Sequence, residues 1–436
     1  MKILILGSGG REHALATKLA ASAQIEEVVV APGNAGMLFS QKISIQPLDL
    51  NDRQKVLGFA QEVAPLLTII GPEAPLVAGL VDFLEEHGFV VFGPNQKAAQ
   101  LEGSKIFSKQ FMQEFAIPTA KAESYASYAE AQAGLKNWDI AAGIVLKADS
   151  LAAGKGVVVT SDPQVAATTI TNFMANPNYP VHTQRLLIEE EVKGKEISAF
   201  AICDGENFVT FGFASDYKRL EDFDRGPNTG GMGGYADKNS LDQSTMQKIE
   251  REVFARTMQG MKKRGTPFKG VLFAGLMIDD QDISVLEYNV RFGDPETQIL
   301  LPLFQGDLFK VLHLAAQGKL HQLAAQELSI SDEVSVHIVM VSNHYPALDG
   351  TPMELNRPIE FPQALCADSS GMRDKYLYFS GVKRNPEGAL VNAGGRVLGV
   401  TALGQNLQEA RDLAYQTLAG IHFENSRWRK DIGILR

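Results

Sequence analysis

Short apolar runs, each ending in a small-residue turn, set the rhythm of the first hundred positions. Lys2–Leu6, Glu27–Ala31, Leu67–Ile70 and Phe89–Phe92 read as strands. Helical spacing of apolar positions marks His13–Ala21 and Val77–Glu86 between them. This alternation predicts a parallel sheet with helices on both faces. The strands run into Gly7-Ser8-Gly9-Gly10, Pro32-Gly33-Asn34, Gly71-Pro72-Glu73 and Gly93-Pro94-Asn95. In an open α/β sheet, ligands bind beyond the carboxyl ends of the strands, where these turns would cluster. Glycine permits close backbone approach, and free N–H groups at helix starts attract anions. For any single turn, plain punctuation explains the glycine as well.

In the middle of the chain a helix is predicted over Ala98–Phe115, carrying Lys105 and ended by Ile117-Pro118-Thr119. The strand Ile144–Lys147 then runs into Ala148-Asp149-Ser150-Leu151-Ala152-Ala153-Gly154-Lys155-Gly156-Val157. This is not a Walker A loop, because Asp149 replaces its first glycine and Gly156 its Ser or Thr. A Gly-Lys-Gly flap can still close over a triphosphate with backbone N–H groups and lysine charge. The short strand Leu186–Glu189 leads into Glu189-Glu190-Glu191-Val192, a segment able to present backbone groups to an adenine edge, with Glu196 near ribose hydroxyls. Asp216-Tyr217-Lys218-Arg219 precedes a long polar loop, Asp222–Tyr235, with five glycines at 226–234. A loop so long inside a compact domain is usually functional or disordered, and its lack of repetition favours function.

The densest chemistry lies at Ile283–Phe292, read as a strand whose side chains alternate between faces. Leu286, Tyr288, Val290 and Phe292 would pack, leaving Glu287, Asn289 and Arg291 in one polar row. A carboxylate, a carboxamide oxygen and a guanidinium suit a Mg²⁺–triphosphate: two hard oxygen ligands and a fixed cation for the phosphoryl group. A solvated charged strand face is the plain alternative. Asp294 and Glu296, in the tight turn that follows, add acid beside Arg291 and favour a site.

From about Ser331 strands become short and valine-rich, as in Ser335–Val341, and turns frequent. Asn406 with Glu409 predicts a capped helix start. These features predict an α+β terminal unit packed against the nucleotide site. Arg396 is open to two readings, a contact to a ribosyl phosphate or a structural ion pair. His13, His337 and His344 read as structural.

Composition narrows the class. A chain of 436 residues has room for about two to four domains. The formal charge of -10 argues against a nucleic-acid surface. Cys203 and Cys366 form no CxxC and suggest neither disulfides nor zinc, but buried thiols in a reducing cytoplasm. The opening apolar run stops at Gly7, too soon for a signal peptide, and no run is long enough to span a bilayer. A nicotinamide site fails at Gly7-x-Gly9. Glu12 occupies the third glycine position, and the second strand ends in Ala31-Pro32 without the expected acid.

Taken together, these segments resemble the glycinamide ribonucleotide synthetases (phosphoribosylamine–glycine ligases), a family of ATP-grasp ligases. The resemblance rests on Gly-Ser-Gly-Gly-Arg-Glu-His-Ala at 7–14, Ala-Pro-Gly-Asn at 31–34, Gly-Pro-Glu-Ala-Pro-Leu at 71–76 and Gln-Leu-Glu-Gly-Ser-Lys at 100–105. It continues through Leu-Ala-Ala-Gly-Lys-Gly-Val at 151–157, Gly-Pro-Asn-Thr-Gly-Gly-Met-Gly at 226–233 and Arg-Phe-Gly-Asp-Pro-Glu-Thr-Gln at 291–298. Gly-Gly-Arg-Val-Leu at 394–398 and Arg-Lys-Asp-Ile-Gly at 429–433 complete the set.

The resemblance implies an α/β and α+β multidomain chain. Its parts would be an N-terminal parallel-sheet α/β substrate domain over 1–103, a central ATP-grasp domain over 104–330 with a mobile lid at about 120–192, and a small C-terminal α+β domain over 331–436. It implies ATP-driven joining of glycine to 5-phosphoribosylamine through glycyl phosphate, with Mg²⁺ or Mn²⁺, in a cytoplasmic enzyme of purine biosynthesis. No nucleic acid, membrane or obligate protein partner is implied. Lys105, Lys147, Gly154, Lys155 and Gly156 would hold the triphosphate, and Glu189, Glu190, Val192 and Glu196 the adenosine. Glu287 and Asn289 would ligate the metal, and Arg291 would stabilise the acyl phosphate. Asp216 and Asp294 would take the glycine ammonium; Gly9, Gly10, Asn34, Pro72, Glu73, Asn228 and Arg396 would face the phosphoribosylamine.

Four departures stand out. Ser150 replaces a glycine common in the family, and Tyr217 a common histidine. Phe379-Ser380-Gly381-Val382 stands where Phe-His-Ala-Gly-Thr is common. Val271–Ile278 carries no acid, which leaves a second metal position open.

Overall fold

The structure is a computed structural model, and it describes residues 1–434 apart from 152–155, 281, 349 and 367–373. Five parallel strands open the chain: β1 (Lys2–Gly7), β2 (Glu27–Pro32), β3 (Ile43–Ile45), β4 (Leu67–Ile70) and β5 (Val91–Phe92), in the order β3-β2-β1-β4-β5. Alternation along β1 sends Ile3 and Ile5 to one core with Leu15 and Leu19, and Leu4 and Leu6 to another with Val56 and Leu84. Helices therefore cover both faces, as the rhythm of the sequence predicts. Strand order reverses between β1 and β4, so the turns after them share the crevice of a doubly wound sheet. Glu12 occupies that crevice. A Cβ on Gly71 would lie 1.9 Å from Glu12 Oε1, and one on Gly7, at φ +140°, would lie 2.7 Å from the same side chain.

Two predicted helices are broken. Val77–Glu86 is two helices, Glu73–Val77 and Leu80–Glu86, separated at Gly79 with φ +82°. Ala98–Phe115 divides into Gln100–Gly103 and Lys105–Glu114 at Ser104. Ser104 is extended and accepts the Phe107 amide at 3.1 Å, so it caps the second helix. The strand expected over Phe89–Phe92 is paired only at Val91 and Phe92.

A separate antiparallel sheet comprises β6 (Ala122–Tyr125), β7 (Ile144–Ala148), β8 (Val157–Thr160) and β9 (Leu186–Glu190), in the order β6-β9-β7-β8. It has its own apolar cluster, in which Leu146 and Ile188 pack with Ile170 and Phe173 of the helix Pro163–Met174.

The central sheet begins with β10 (Lys195–Asp204) and β11 (Phe208–Asp216). A side hairpin, β12 (Arg219–Glu221) and β13 (Arg225–Asn228), leads to β14 (Gly233–Ala236), followed by β15 (Lys269–Asp279) and β16 (Asp282–Asn289). The C-terminal segment supplies β17 (Val334–Val341), β18 (Lys375–Phe379), a hairpin of β19 (Val382–Arg384) and β20 (Leu390–Asn392), and β21 (Arg396–Gly404). One eight-stranded sheet results, β16-β15-β10-β11-β14-β17-β21-β18. The α+β terminal segment thus continues the central sheet through β14 and β17. Its helix Leu407–Leu418 starts as expected, with Asn406 Oδ1 accepting the Glu409 amide at 3.0 Å.

A bulge corrects the expected face of β16. Glu287 pairs with Gly275 and Val285 with Leu276, so Leu286 has no partner on β15. The phase shift puts Ile283, Val285, Tyr288 and Val290 in the core and leaves Leu286 half-buried. The strand also ends at Asn289, short of the predicted Phe292.

Candidate active site

The bulge sets the site. Glu287 and Asn289 close β16 two residues apart, and Arg291 follows beyond its end. Burial pushes the Glu287 carboxyl up, but the cations of Lys218, Lys147, Lys105 and Arg291 outweigh it and hold it below the usual range. The Lys147 ammonium donates to the bulged Leu286 carbonyl at 2.9 Å, and Lys105 to the Ser150 carbonyl at 3.2 Å. An anionic carboxylate beside a carboxamide oxygen is a hard donor pair, suited to Mg²⁺ completed by phosphate oxygens and water. No group of three or more His, Cys, Asp or Glu able to hold a metal occurs among the described residues.

Arg291 is held from three sides. Its Nη2 lies 3.1 Å from Glu102 Oε1 and 3.2 Å from Asn289 Oδ1, and its Nε lies 3.5 Å from Glu73 Oε2. Burial opposes the charge, but Glu102 and Glu73 raise its pKa further above the ordinary value.

On the side proposed for adenosine, Glu189 is buried between Lys109, at 3.2 Å, and Lys147, at 2.9 Å. Glu190 is exposed and accepts the Lys121 amide at 3.0 Å, while Val192 is half-buried. Glu196 pairs with Lys218. Gly156 is buried; Gly154 and Lys155 lie outside the described residues.

Asp216 and Asp294 have opposite environments. Burial raises Asp216, at the end of β11, to about 8; Lys218 opposes this, and Glu296 and Glu196 add to it. Glu296, itself raised by burial, accepts from Ser198 Oγ at 3.2 Å. Asp294 stays below its usual range because Arg396 and Arg11 outweigh its burial. Its Oδ1 lies 3.3 Å from Arg396 Nη1 and accepts from Gln298 Nε2 at 2.8 Å. An ammonium placed by Asp216 and Glu296 would relieve the repulsion between those two buried carboxyls.

Of the remaining predicted residues, Gly9, Gly10, Asn34, Pro72 and Glu73 lie on the turns that follow β1, β2 and β4. Gly9 and Gly10 start the helix Gly10–Ala20, but the Gly9 amide already donates to Glu12 Oε2 at 2.6 Å. Arg11 Nε reaches Glu12 Oε1 at 2.6 Å, and its Nη1 reaches the Phe292 carbonyl at 3.2 Å. Asn34 is buried with both polar ends engaged: Nδ2 donates to the carbonyls of Ser8 and Phe379, and Oδ1 accepts from the Gly36 amide. Pro72 and Glu73 stand at the β4 turn, and Glu73 joins Arg291. Asn228 is exposed at the end of β13. Arg396 Nη1 donates to the carbonyls of Gly230, at 2.6 Å, and Asp294, at 2.7 Å, so it ties the glycine-rich loop to the Asp294 turn.

Sequence reasoning missed Glu102, Lys109 and Lys218 as site residues, and gave Glu296 no role beyond adding acid beside Arg291. Glu102, Lys218 and Glu296 fall inside or beside quoted motifs. Lys109 follows Lys105 by one helical turn, a spacing that could have drawn attention to it.

Comparison with known proteins matches the same parts. Residues 1–102, 103–297 and 335–435 match in turn the N domain, the ATP-grasp (A) domain and the C domain of phosphoribosylglycinamide synthetase. The chain is 39% identical over 433 residues to phosphoribosylamine–glycine ligase of Caldanaerobacter subterraneus subsp. tengcongensis, covering 99% of each. It is likewise 39% identical to the trifunctional purine biosynthetic protein adenosine-3 of Homo sapiens, where it spans 42% of that protein. The crystal structure of phosphoribosylamine–glycine ligase from Thermotoga maritima superposes with a TM-score of 0.83 at 33% identity, covering 99% of this chain and 100% of that one. A biotin carboxylase from Campylobacter jejuni shares the fold at a TM-score of 0.73 and 14% identity, covering 98% of this chain and 92% of that one. By family match, identity and coverage, the chain belongs to the phosphoribosylglycinamide synthetase family.

Proposed function

We propose that the protein joins glycine to 5-phosphoribosylamine at the expense of ATP, giving glycinamide ribonucleotide, ADP and phosphate. The observation that carries this reading is the Glu287 carboxylate kept anionic among Lys218, Lys147, Lys105 and Arg291. Such a cluster of cations around one hard ligand suits a metal–triphosphate. Family membership supplies the acid and the amine.

In the first step a glycine carboxylate oxygen attacks the γ-phosphorus, and the bond from that phosphorus to the ADP oxygen breaks. The amine of phosphoribosylamine then attacks the carbonyl carbon of glycyl phosphate. The carbon–oxygen bond to phosphate breaks, and the departing phosphate takes the proton lost by the amine. Neither step needs an enzyme nucleophile; the protein positions reactants and neutralises charge. Lys105 and Lys147 hold phosphate oxygens, and Arg291 meets the charge on the transferring group. Asp216 with Glu296 holds the glycine ammonium, while Arg396 and the loop carrying Asn228 face the ribosyl phosphate. Glu287 and Asn289 hold Mg²⁺, with Mn²⁺ able to replace it, and when bound the metal neutralises charge on the phosphates.

We further propose units over 1–103, 104–330 and 331–436, with the β6–β9 sheet closing as a lid over the nucleotide. No helix among the described residues is long and apolar enough to cross a membrane, and the proposed compartment is the cytoplasm.

The test is ADP release with Mg²⁺-ATP and glycine, with and without phosphoribosylamine generated in the cuvette. The proposal requires release that depends on both. Release driven only by a different carboxylate would keep the ATP chemistry and overturn the substrates.

A further inference from the structure

The chain crosses between the central body and the β6–β9 sheet twice, at Thr119–Lys121 on the way out and at Glu189–Val192 on the way back. The Lys109 side chain holds both crossings. It is 3% exposed, on the helix Lys105–Glu114. Its Nζ donates to Thr119 Oγ1 at 2.5 Å and to the Ala120 carbonyl at 3.3 Å, and lies 3.2 Å from Glu189 Oε1. Thr119 Oγ1 in turn donates to the Val285 carbonyl on β16 at 2.7 Å.

The second Glu189 oxygen lies 2.9 Å from Lys147 Nζ. Strands β7 and β9 are antiparallel neighbours, with Glu189 opposite Val145, so Glu189 and Lys147 share one face. Lys147 then reaches the Leu286 carbonyl, the residue before Glu287. Three charges, two ammonium groups and one carboxylate, are thus packed almost without water at the junction of three elements. Taken alone, the Glu189–Lys147 pair would be neutral. With Lys109 sharing the carboxylate, a net positive charge remains, and Lys147 stays available to an anion next to the metal ligands.

We propose that Lys109 is a positioning residue: by sharing Glu189, it keeps the Lys147 ammonium free for nucleotide phosphate and fixes the β6–β9 sheet at the angle that presents it. This rests on the ATP-binding part of the proposed function, and not on the identity of the acid or the amine. Without Lys109, Glu189 has Lys147 as its one ion-pair partner among the described residues. A tight, buried one-to-one pair then competes with the phosphate.

The test is titration calorimetry of Mg²⁺-ADP binding to the full chain, which needs neither substrate. Lys109→Met keeps the stem and removes the charge, and is expected to weaken binding about tenfold or more. Lys109→Gln, which retains hydrogen bonding to Thr119, is expected to weaken it in the same direction. In a Glu189→Gln background the competing carboxylate is gone, and adding Lys109→Met is expected to cost much less affinity than it does with Glu189 present. A merely structural lysine would lower the unfolding temperature while leaving affinity intact, and its loss would combine additively with that of Glu189. Unaltered affinity in both Lys109 variants overturns the proposal, as does a Lys109→Met loss as large in the Glu189→Gln background as with Glu189 present. A wild-type chain that does not bind Mg²⁺-ADP overturns the ATP reading itself.

Discussion

One carboxylate, that of Glu102, holds both the head of Arg291 and the backbone of the residue before it. Its Oε2 accepts the Val290 amide at 2.8 Å, and its Oε1 lies 3.1 Å from the Arg291 guanidinium. Burial raises the Glu102 carboxyl, and the Arg291 charge opposes that rise. Arg291 is therefore aimed by a residue from the short helix Gln100–Gly103, nearly two hundred positions away in the chain.

Replacing Glu102 by Gln keeps its shape and an acceptor for Val290 but removes the charge that orients Arg291. An arginine that acts on the transferring phosphoryl group contributes chiefly in the transition state. The expected result is a fall in kcat of about tenfold or more, with kcat/KM falling by a similar factor. The KM for ATP should change by less than about threefold. Steady-state kinetics decides: a change confined to KM would place Glu102 in ground-state binding instead.

The hard donor pair Glu287 and Asn289 predicts strict dependence on a divalent cation. Chelation should abolish ADP release, and added Mg²⁺ should restore it. Glu287→Gln exchanges a charged ligand for a neutral one and should lower kcat/KM about a hundredfold, on the scale of losing one charge-stabilising contact. Part of the loss should be recovered at raised metal concentration. Full turnover in the presence of chelator would remove Glu287 and Asn289 from the metal role.

Asp216 predicts a pH dependence whose sign is fixed. Its carboxyl is raised from 3.8 to about 8 in the folded protein by burial, against the pull of Lys218. Between those values the folded state binds the proton and the unfolded state has lost it, so stability falls as pH rises through this range. Below the unfolded value this group makes no difference, and above the folded value the penalty is complete. Asp216→Asn removes the slope. Thermal unfolding without substrates should therefore show the wild type losing ground to the variant from pH 5 to pH 8, with saturating glycine narrowing the gap at pH 8. A difference that does not vary with pH would mean that Asp216 is ionised throughout.

Much of this site was legible because its signals are local. The polar row of Glu287, Asn289 and Arg291, the acidic turn at Asp294 and the glycine turns each lie within a few adjacent positions. The β16 bulge was not legible, because an unpaired Leu286 depends on how β15 lies against it, and alternation alone cannot register an inserted residue. The break at Ser104 had a local signal, a capping hydroxyl, but the helical apolar spacing on either side outweighed it. Glu102 and Lys109 were missed for a different reason. A single carboxylate or ammonium on a helix reads as solvated, and only the fold buries it against Arg291 or Glu189. The join between the C-terminal strands and the central sheet depends on β14, whose first three residues, Gly233 to Tyr235, sequence reading took as the end of a loop.

Arg429 predicts how the C-terminal tail acts on the substrate side. Its side chain is fully buried, with two hydrogen bonds to the Asp431 carboxylate at 2.8 and 2.7 Å and one to Asp224 at 2.8 Å. A further hydrogen bond reaches the Arg219 carbonyl at 3.0 Å. The guanidinium also lies 4.7 Å from the centre of the Tyr217 ring, and the Tyr217 hydroxyl accepts the Gly433 amide at 3.2 Å. Tyr217 stands between Asp216 and Lys218, and Asp431 Oδ2 accepts the Phe223 amide at 2.9 Å, so the tail grips both ends of β12 and the loop leading to Asn228. Arg429→Met removes the shared cation from a buried carboxylate, a loss that costs about 3–5 kcal/mol where no partner replaces it. Urea unfolding should show a drop of roughly 3 kcal/mol, the lower end of that range, because Asp431 keeps its hydrogen bond from Phe223. The KM for phosphoribosylamine should rise while the KM for ATP stays within about twofold, since the nucleotide lysines lie on other elements. A loss of stability under about 1 kcal/mol, or a KM change shared equally by ATP and phosphoribosylamine, would mean that the tail does not position this loop.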